Sequence, residues 1–276
     1  MPLSFTNPGE PAMPAPARIS LPPAAREHMD GRAVSRIPEF LLPPPPPAVD
    51  DVIHTGDDTG IHVYDGGAGT DTLVVDYVIQ TAPAAPFQID LQFGTFYGTQ
   101  LDGSTIRNVE NITVNVGPGQ TGYINGSDEA NVIIANVLGP EYALAFVSDY
   151  LGDDEVHFSV ADGAAGWYWA GAGNDTVYMD GFTYIEGMFA SGDDTYYFGE
   201  GIQRITLWPE SSGHSTIVGF DRGEDLVQFA GTNVTRVEID GATLFSWHDS
   251  AGVEIGTLTV DAVGLIAGLD YVIFPM

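Results

Sequence analysis

The residues in this sequence with the means to do chemistry are carboxylates set beside glycines. Five segments share one order: Gly, any residue, Asp, any residue, then a large apolar residue. They are Gly69-Thr-Asp71-Thr-Leu73, Gly152-Asp153-Asp154-Glu-Val156, Gly173-Asn-Asp175-Thr-Val177, Gly192-Asp193-Asp194-Thr-Tyr196 and Gly223-Glu-Asp225-Leu-Val227. Chance would place about one such match in a chain of this composition. Gly268-Leu-Asp270-Tyr-Val272 also fits, and Gly56-Asp57-Asp58 shares the turn without the apolar residue. Glycine allows the tight bend and bares its carbonyl oxygen, while aspartate adds a carboxylate, so the bends offer the all-oxygen donor set of a hard divalent cation. The plain alternative is that Gly and Asp simply make good solvated turns.

The spacing points to what positions these bends. Asp154 and Asp175 lie 21 residues apart, and Asp175 and Asp194 lie 19 apart. That is one coil of a solenoid in which each turn of chain makes two short strands and two bends. After the bends, period-2 alternation sends Val156 and Phe158, Val177 and Met179, and Tyr196 and Phe198 inward, leaving His157, Tyr178 and Tyr197 outside. The return strands are read at Trp167-Tyr168-Trp169, Thr183-Tyr-Ile185 and Ile205-Thr-Leu207, with Tyr168 grouped among the outward tyrosines. Only Ala24 to His28 and Ala262 to Leu269 have weak helical character. Stacked coils about 4.8 Å apart would set like carboxylates against each other at roughly 3.5 kcal/mol per pair for an effective dielectric near 20. A cation between the bends is the expected remedy.

Composition agrees with a cationic partner. The chain has 38 acids, eight arginines, no lysine and a net charge of −30, which leaves no basic patch for nucleic acid. No apolar run reaches the length of a membrane span. There is no cysteine, so thiol chemistry and cysteine-based zinc sites are excluded. The charge and the prolines are unevenly spread: residues 1–50 hold 13 of the 19 prolines, including Pro43 to Pro47, whereas residues 51–276 hold 33 of the 38 acids. The expected organisation is a disordered Pro-rich arm over 1–50, a β-solenoid over 51–230 and a C-terminal antiparallel β cap over 231–276. The fold class expected is all-β, a parallel β-roll or β-solenoid.

Gly66-Gly-Ala-Gly-Thr-Asp-Thr-Leu-Val74 resembles, position for position, the nonapeptide G-G-x-G-x-D-x-U-x of the repeat-in-toxin (RTX) calcium-binding family. Ala170 to Tyr178 departs from it only at the first glycine. Phe189 to Tyr197 and Asp149 to His157 keep little beyond the fourth, sixth and eighth positions, and Gly126 to Ile134 has Asn131 where Asp is expected. Ile217 to Phe229, then Thr243 to Trp247, Val253 to Val260 and Asp270 to Phe274, are similar to the segments that close such modules. The resemblance implies a parallel β-roll with calcium between the bends of adjacent coils. It assigns Asp71, Asp154, Asp175 and Asp194 as side-chain ligands, and Gly69, Gly173 and Gly192 to the binding bends. Asp153, Asp193 and Asp225 join them as acidic neighbours in the same motif. Asp175 with Asp194 is the favoured pair. It also implies export by type I secretion through an uncleaved C-terminal signal, in keeping with a start that lacks the usual leader pattern, and hence an extracellular location.

Other functions draw less from the residues. The outward tyrosines would suit sugar stacking, although aromatics are ordinary strand residues. A polysaccharide-modifying enzyme on a β-helix could recruit Asp76, Asp90, Arg107, His157 or Arg204, but no spacing singles out a catalytic group. Gly213-His-Ser215-Thr-Ile217 lacks the second glycine of a nucleophile elbow, and no His-Glu-x-x-His run is present. His248-Asp249 is read as a hairpin turn pair. An adhesive module linked to a cell surface or polysaccharide through the Pro-rich arm is the remaining alternative.

Overall fold

In the computed structural model the described residues are 48–56, 59–76, 78, 86–139, 142–187, 191–231 and 233–274. The Pro-rich arm up to Pro47, the Ala24 to His28 segment and the Asp57-Asp58 pair lie outside them. The described chain is all-β, and its 22 strands form two sheets of 11. Sheet I runs, in spatial order, Val52–His54, Thr72–Val75, Asn111–Val116, Val132–Val137, Glu155–Val160, Thr176–Asp180, Thr195–Phe198, Gly213–Val218, Glu254–Val260, Ala242–His248 and Val234–Ile239. Sheet II runs Val63–Asp65, Thr105–Arg107, Thr95–Tyr97, Phe87–Asp90, Thr121–Ser127, Leu144–Tyr150, Ala165–Trp169, Thr183–Gly187, Gln203–Leu207, Leu226–Ala230 and Tyr271–Phe274. Through the middle of the molecule the chain alternates between the sheets, one strand in each per coil, and every pairing there is parallel.

The parallel register turns sequence alternation into columns. Leu73, Ile112, Ile133, Val156, Val177, Tyr196, Ile217 and Val260 superimpose on sheet I. Facing them on sheet II are Ile89, Ile124, Val147, Tyr168, Ile185, Ile205 and Val227. All fifteen are fully buried, and each such side chain is worth roughly 1.5–3 kcal/mol of burial. The inward residues expected after the three acidic bends are all buried, and Tyr178 and Tyr197 are exposed.

The return strand Ala165–Trp169 corrects one expectation. Tyr168 points inward and is fully buried, while Trp169 is exposed. Its hydroxyl donates to the buried Asp149 carboxylate, and Trp167 and Trp169 instead join an outer aromatic run with Phe146 and Tyr123. A hydroxyl that can satisfy a buried acid belongs inside more than an indole does here. Residues 262–269 form turns rather than a helix. Two antiparallel regions interrupt the winding. The expected one, Val234–Ile239 with Ala242–His248 and Glu254–Val260, closes the C-terminal end. The other, Phe87–Asp90 with Thr95–Tyr97 and Thr105–Arg107, is an insertion that the repeat pattern did not signal.

Glycine at the bend is a steric requirement. A Cβ on Gly173 would lie 1.6 Å from the Gly152 carbonyl oxygen, and one on Gly192 would lie 1.7 Å from that of Gly173. Their φ angles are +150° and +133°. Coils can approach to strand spacing at this corner only if both are glycine. Gly173→Ala should therefore cost about 3 kcal/mol or more, or prevent folding. Gly223→Ala, with open space around its Cβ, should cost about 1 kcal/mol. Chemical denaturation midpoints measure both, and equal losses would contradict the steric account.

Candidate metal centre

Each strand of sheet I from Thr72 to Thr195 is preceded by a polar residue, and the register places these residues in one column: Asp71, Glu110, Asn131, Asp154, Asp175 and Asp194. Side chains in this column reach back to the preceding coil. Asp71 Oδ1 accepts the Asp51 N–H at 2.7 Å, Glu110 Oε2 the Asp71 N–H at 2.7 Å and Asp154 Oδ1 the Asn131 N–H at 2.6 Å. Asp175 Oδ1 accepts the Asp154 N–H at 3.0 Å, and Asp194 Oδ1 accepts the Asp175 N–H at 3.1 Å. One residue earlier, an exposed column bonds in the opposite direction. Asp153 Oδ1 accepts the Asn174 N–H at 2.7 Å, Asn174 Oδ1 the Asp193 N–H at 2.9 Å and Asp193 Oδ1 the His214 N–H at 2.9 Å. The acidic corners thus stitch the coils together through backbone amides, which offset part of the repulsion for which a cation is the expected remedy. Bonds of this kind contribute about 0.5–1.5 kcal/mol each, and about twice that where the acceptor is ionised.

These bonds use up some carboxylate oxygens and leave others unpaired. Asp194 also accepts from the Tyr196 hydroxyl at 3.0 Å and from Ser215 at 3.4 Å, so it is fully committed within the protein. Ser215 is buried on a strand, bonded to that carboxylate, and is no exposed nucleophile. Asp225 lies on the opposite bend, between sheet I and sheet II, where its two oxygens accept the Gln203 and Asp221 N–H groups at 2.9 and 2.8 Å. Asp71 is also fully buried with its Oδ2 unpaired, but it stands four strands away from Asp175 along sheet I.

What the column brings together is Asp154 and Asp175, joined by a residue that the motif did not include. Asp149, on the strand Leu144–Tyr150, points inward, and one carboxylate oxygen from each of Asp149, Asp154 and Asp175 lies within 4.8 Å of the others. All three are buried, at 0, 3 and 2% exposure. Asp149 Oδ1 and Asp154 Oδ2 have no hydrogen-bond partner. The alternation of Leu144–Tyr150 sends Asp149 inward, and that was the signal in the sequence that could have found it.

Burial raises all three carboxyls above their usual range. Asp154 is pushed up to about 7 by desolvation, with the Asp175 and Asp153 charges adding to it and the Asn131 N–H opposing. For Asp149, burial dominates, the Tyr168 hydroxyl opposes and the Asp154 charge adds. For Asp175, burial and the Asp149 charge act together against the Asp154 N–H. The phenols of Tyr168 and Tyr196 are driven well above their ordinary value by burial, so they remain proton donors to Asp149 and Asp194. Asp154 also lines a concavity of about 380 Å³ with Asp153, Glu155 and Asn174. Two unpaired buried carboxylate oxygens among three clustered acids fit a hard cation with oxygen ligands.

The remaining candidates are held in local structure. Asp90 is buried and bonded to Gln88, Phe93 N–H and Asn125, Asp76 pairs with His54, and His157 stacks on Tyr178 beside Glu155. Asp249 caps its own hairpin turn through the Ala251 and Val253 N–H groups. The rings of His157, Tyr178 and Tyr197 stack face to face at 4.6 and 4.8 Å, so neighbouring rings cover most of the faces a sugar would use. No helix among the described residues is long and apolar enough to cross a membrane. Compared with known proteins, the chain matches no family model and no curated protein.

A carboxyl whose folded value lies above the unfolded 3.8 keeps a proton that the unfolded chain has released. Its contribution is complete below about pH 4 and is lost as the pH rises through the folded value. Metal-free protein should therefore lose melting temperature between about pH 5 and pH 8. Asp149→Asn should flatten that slope and stabilise the metal-free protein at the alkaline end. A metal-free protein that gains stability over this interval would contradict the burial of the three acids.

Proposed function

We propose that the chain is an extracellular calcium-binding β-solenoid protein of the RTX type, whose folding is coupled to calcium. The observation that carries this reading is the buried Asp149, Asp154 and Asp175 group with its unpaired oxygens. In a metal-free protein near neutral pH these acids must be protonated or repel one another, and a divalent cation replaces the protons with a bound charge. Oxygen-only donors with no histidine or cysteine among them favour calcium over zinc or copper. Calcium near millimolar outside cells suits such a module, and ions that bind only the folded chain draw the equilibrium toward it. Secretion without a cleaved leader rests on the sequence resemblance. An enzymatic role has less behind it, because the candidate acids and histidines are each engaged in separate local contacts.

Titrating calcium into chelator-treated protein should raise the melting temperature, sharpen the β circular dichroism and release protons. Asp154→Asn and Asp175→Asn should each weaken calcium binding about tenfold or more, whereas Asp225→Asn should leave it unchanged. A protein whose spectrum, melting and proton uptake ignore calcium would end this reading.

A further inference from the structure

The free edge of sheet I at the C-terminal end is a self-complementary strand. Val234–Ile239 ends the sheet, paired on one side only with Ala242–His248. The hairpin turns through two residues, Asp240 and Gly241, with φ of +51° and +86°, so Ile239 and Ala242, which flank the turn, exchange both backbone bonds. By alternation Thr235 and Val237 also bond inward to the hairpin, and Val234, Arg236 and Glu238 present their N–H and C=O groups to the open edge. The strand has no proline and no bulge, and its two charges, Arg236 and Glu238, are bonded to each other within the chain. Val237 and Ile239 are 57 and 55% exposed on its outer face. The adjoining loop, tied to the edge by the Gly264 N–H to Glu238 Oε1, exposes Val263, Ile266 and Leu269.

We infer that this edge pairs with the same edge of a second copy, antiparallel about a two-fold axis through Val237. Backbone direction allows only registers in which the edge-facing residues oppose each other. An axis through Arg236 would set Arg236 against Arg236, one through Glu238 would set Glu238 against Glu238, and one through Thr235 would leave Arg236 opposite Val234. The axis through Val237 sets Arg236 opposite Glu238 of the second copy as a hydrogen-bonded pair, twice, with Val237 against Val237 and Thr235 against Ile239 on the outer face. In each copy the Arg236 guanidinium already bonds Glu238 of the same strand, so the axis through Val237 sets two such ion pairs side by side with opposite charges facing. The guanidinium lies over the Tyr271 ring at 5.4 Å and is already held in place. The strong negative charge of each copy does not forbid the contact. The strand bearing Asp194 is four strands from the edge, roughly 19 Å, more than two Debye lengths at physiological salt.

The absence of cysteine makes the register directly testable. In the full-length protein in calcium-containing buffer, Val237→Cys should form a disulfide-linked dimer on mild oxidation, because opposed residues of a non-hydrogen-bonded pair have Cα atoms about 4.5 Å apart. Ile239→Cys should not, since its two-fold mate lies about 13 Å away along the strand. Sedimentation velocity should show a dimer for the unmodified chain and a monomer for Val237→Lys, both with the same circular dichroism. A monomeric unmodified chain, a dimer indifferent to Val237→Lys, or equal cross-linking of the two cysteine variants would each overturn the inference. Open-ended polymers without the Val237→Cys cross-link would do so too, since they require a head-to-tail contact.

Discussion

The rest of the structure depends on one contact: a carboxylate that accepts the backbone N–H of the neighbouring coil. A parallel solenoid places equivalent residues on top of each other at strand spacing, so whatever sits at a corner is repeated there. At the corner leading into sheet I the repeated residue is an acid, and each of Asp154, Asp175 and Asp194 holds an amide of the coil before it. These amides lie just outside the strand ladders, where the chain turns, and would otherwise be buried without partners. The acids are therefore structural first. Glycine at the neighbouring position lets the coils come close enough for the bonds to form, and the apolar residue two places after each acid anchors the strand in the core.

That arrangement makes negative charge accumulate in a place where it is costly. One oxygen of each acid is satisfied by an amide, and the other needs a donor. Tyr196 and Ser215 supply donors at Asp194, and Tyr168 supplies one at Asp149. At Asp71 and Asp154 the second oxygen has none, nor has the Asp149 oxygen that Tyr168 does not reach. What sets Asp154 apart is that the extra acid, Asp149, enters beside it from sheet II. Burial resolves the conflict toward the protonated form, and a cation would resolve it the other way. In either case the group responds to conditions in the medium while the apolar columns above and below it do not.

Much of this was legible in the sequence because alternation and spacing are the physics of a solenoid. The 21- and 19-residue intervals mark the coils, and the inward Val156, Val177 and Tyr196 follow from period-2 alternation. What the sequence concealed came from contacts between residues far apart along the chain. Tyr168 reads as one more surface aromatic until Asp149 is seen beneath it. Asp225 has the same motif as Asp175, yet lies at the other bend, because a motif five residues long does not say which of the two corners it occupies. Glu110 takes an aspartate's place in the acidic column with no glycine motif at all, its longer side chain reaching the Asp71 N–H. The insertion over 87–107 could not be inferred, since antiparallel pairing there breaks the coil length that made the other elements recognisable.

The stacking that organises the interior also creates the problem at its ends. Every internal strand of a solenoid is paired on both sides, so each sheet finishes in an edge that must be shortened, covered or paired. At the N-terminal end the edge strands Val52–His54 and Val63–Asp65 are only three residues long. At the C-terminal end sheet I reverses direction, with Ala242–His248 and Val234–Ile239 replacing parallel coils by a hairpin. The reversal stops the repeat, because no further parallel coil can add to an antiparallel strand in the same register. It does not remove the edge itself, and six residues with alternating apolar and charged side chains remain at the limit of the sheet. Charge order decides what that edge favours: Arg236 and Glu238 two residues apart match their own sequence read backwards, so the residues that end the solenoid also define the symmetric register in which opposite charges face each other across its edge.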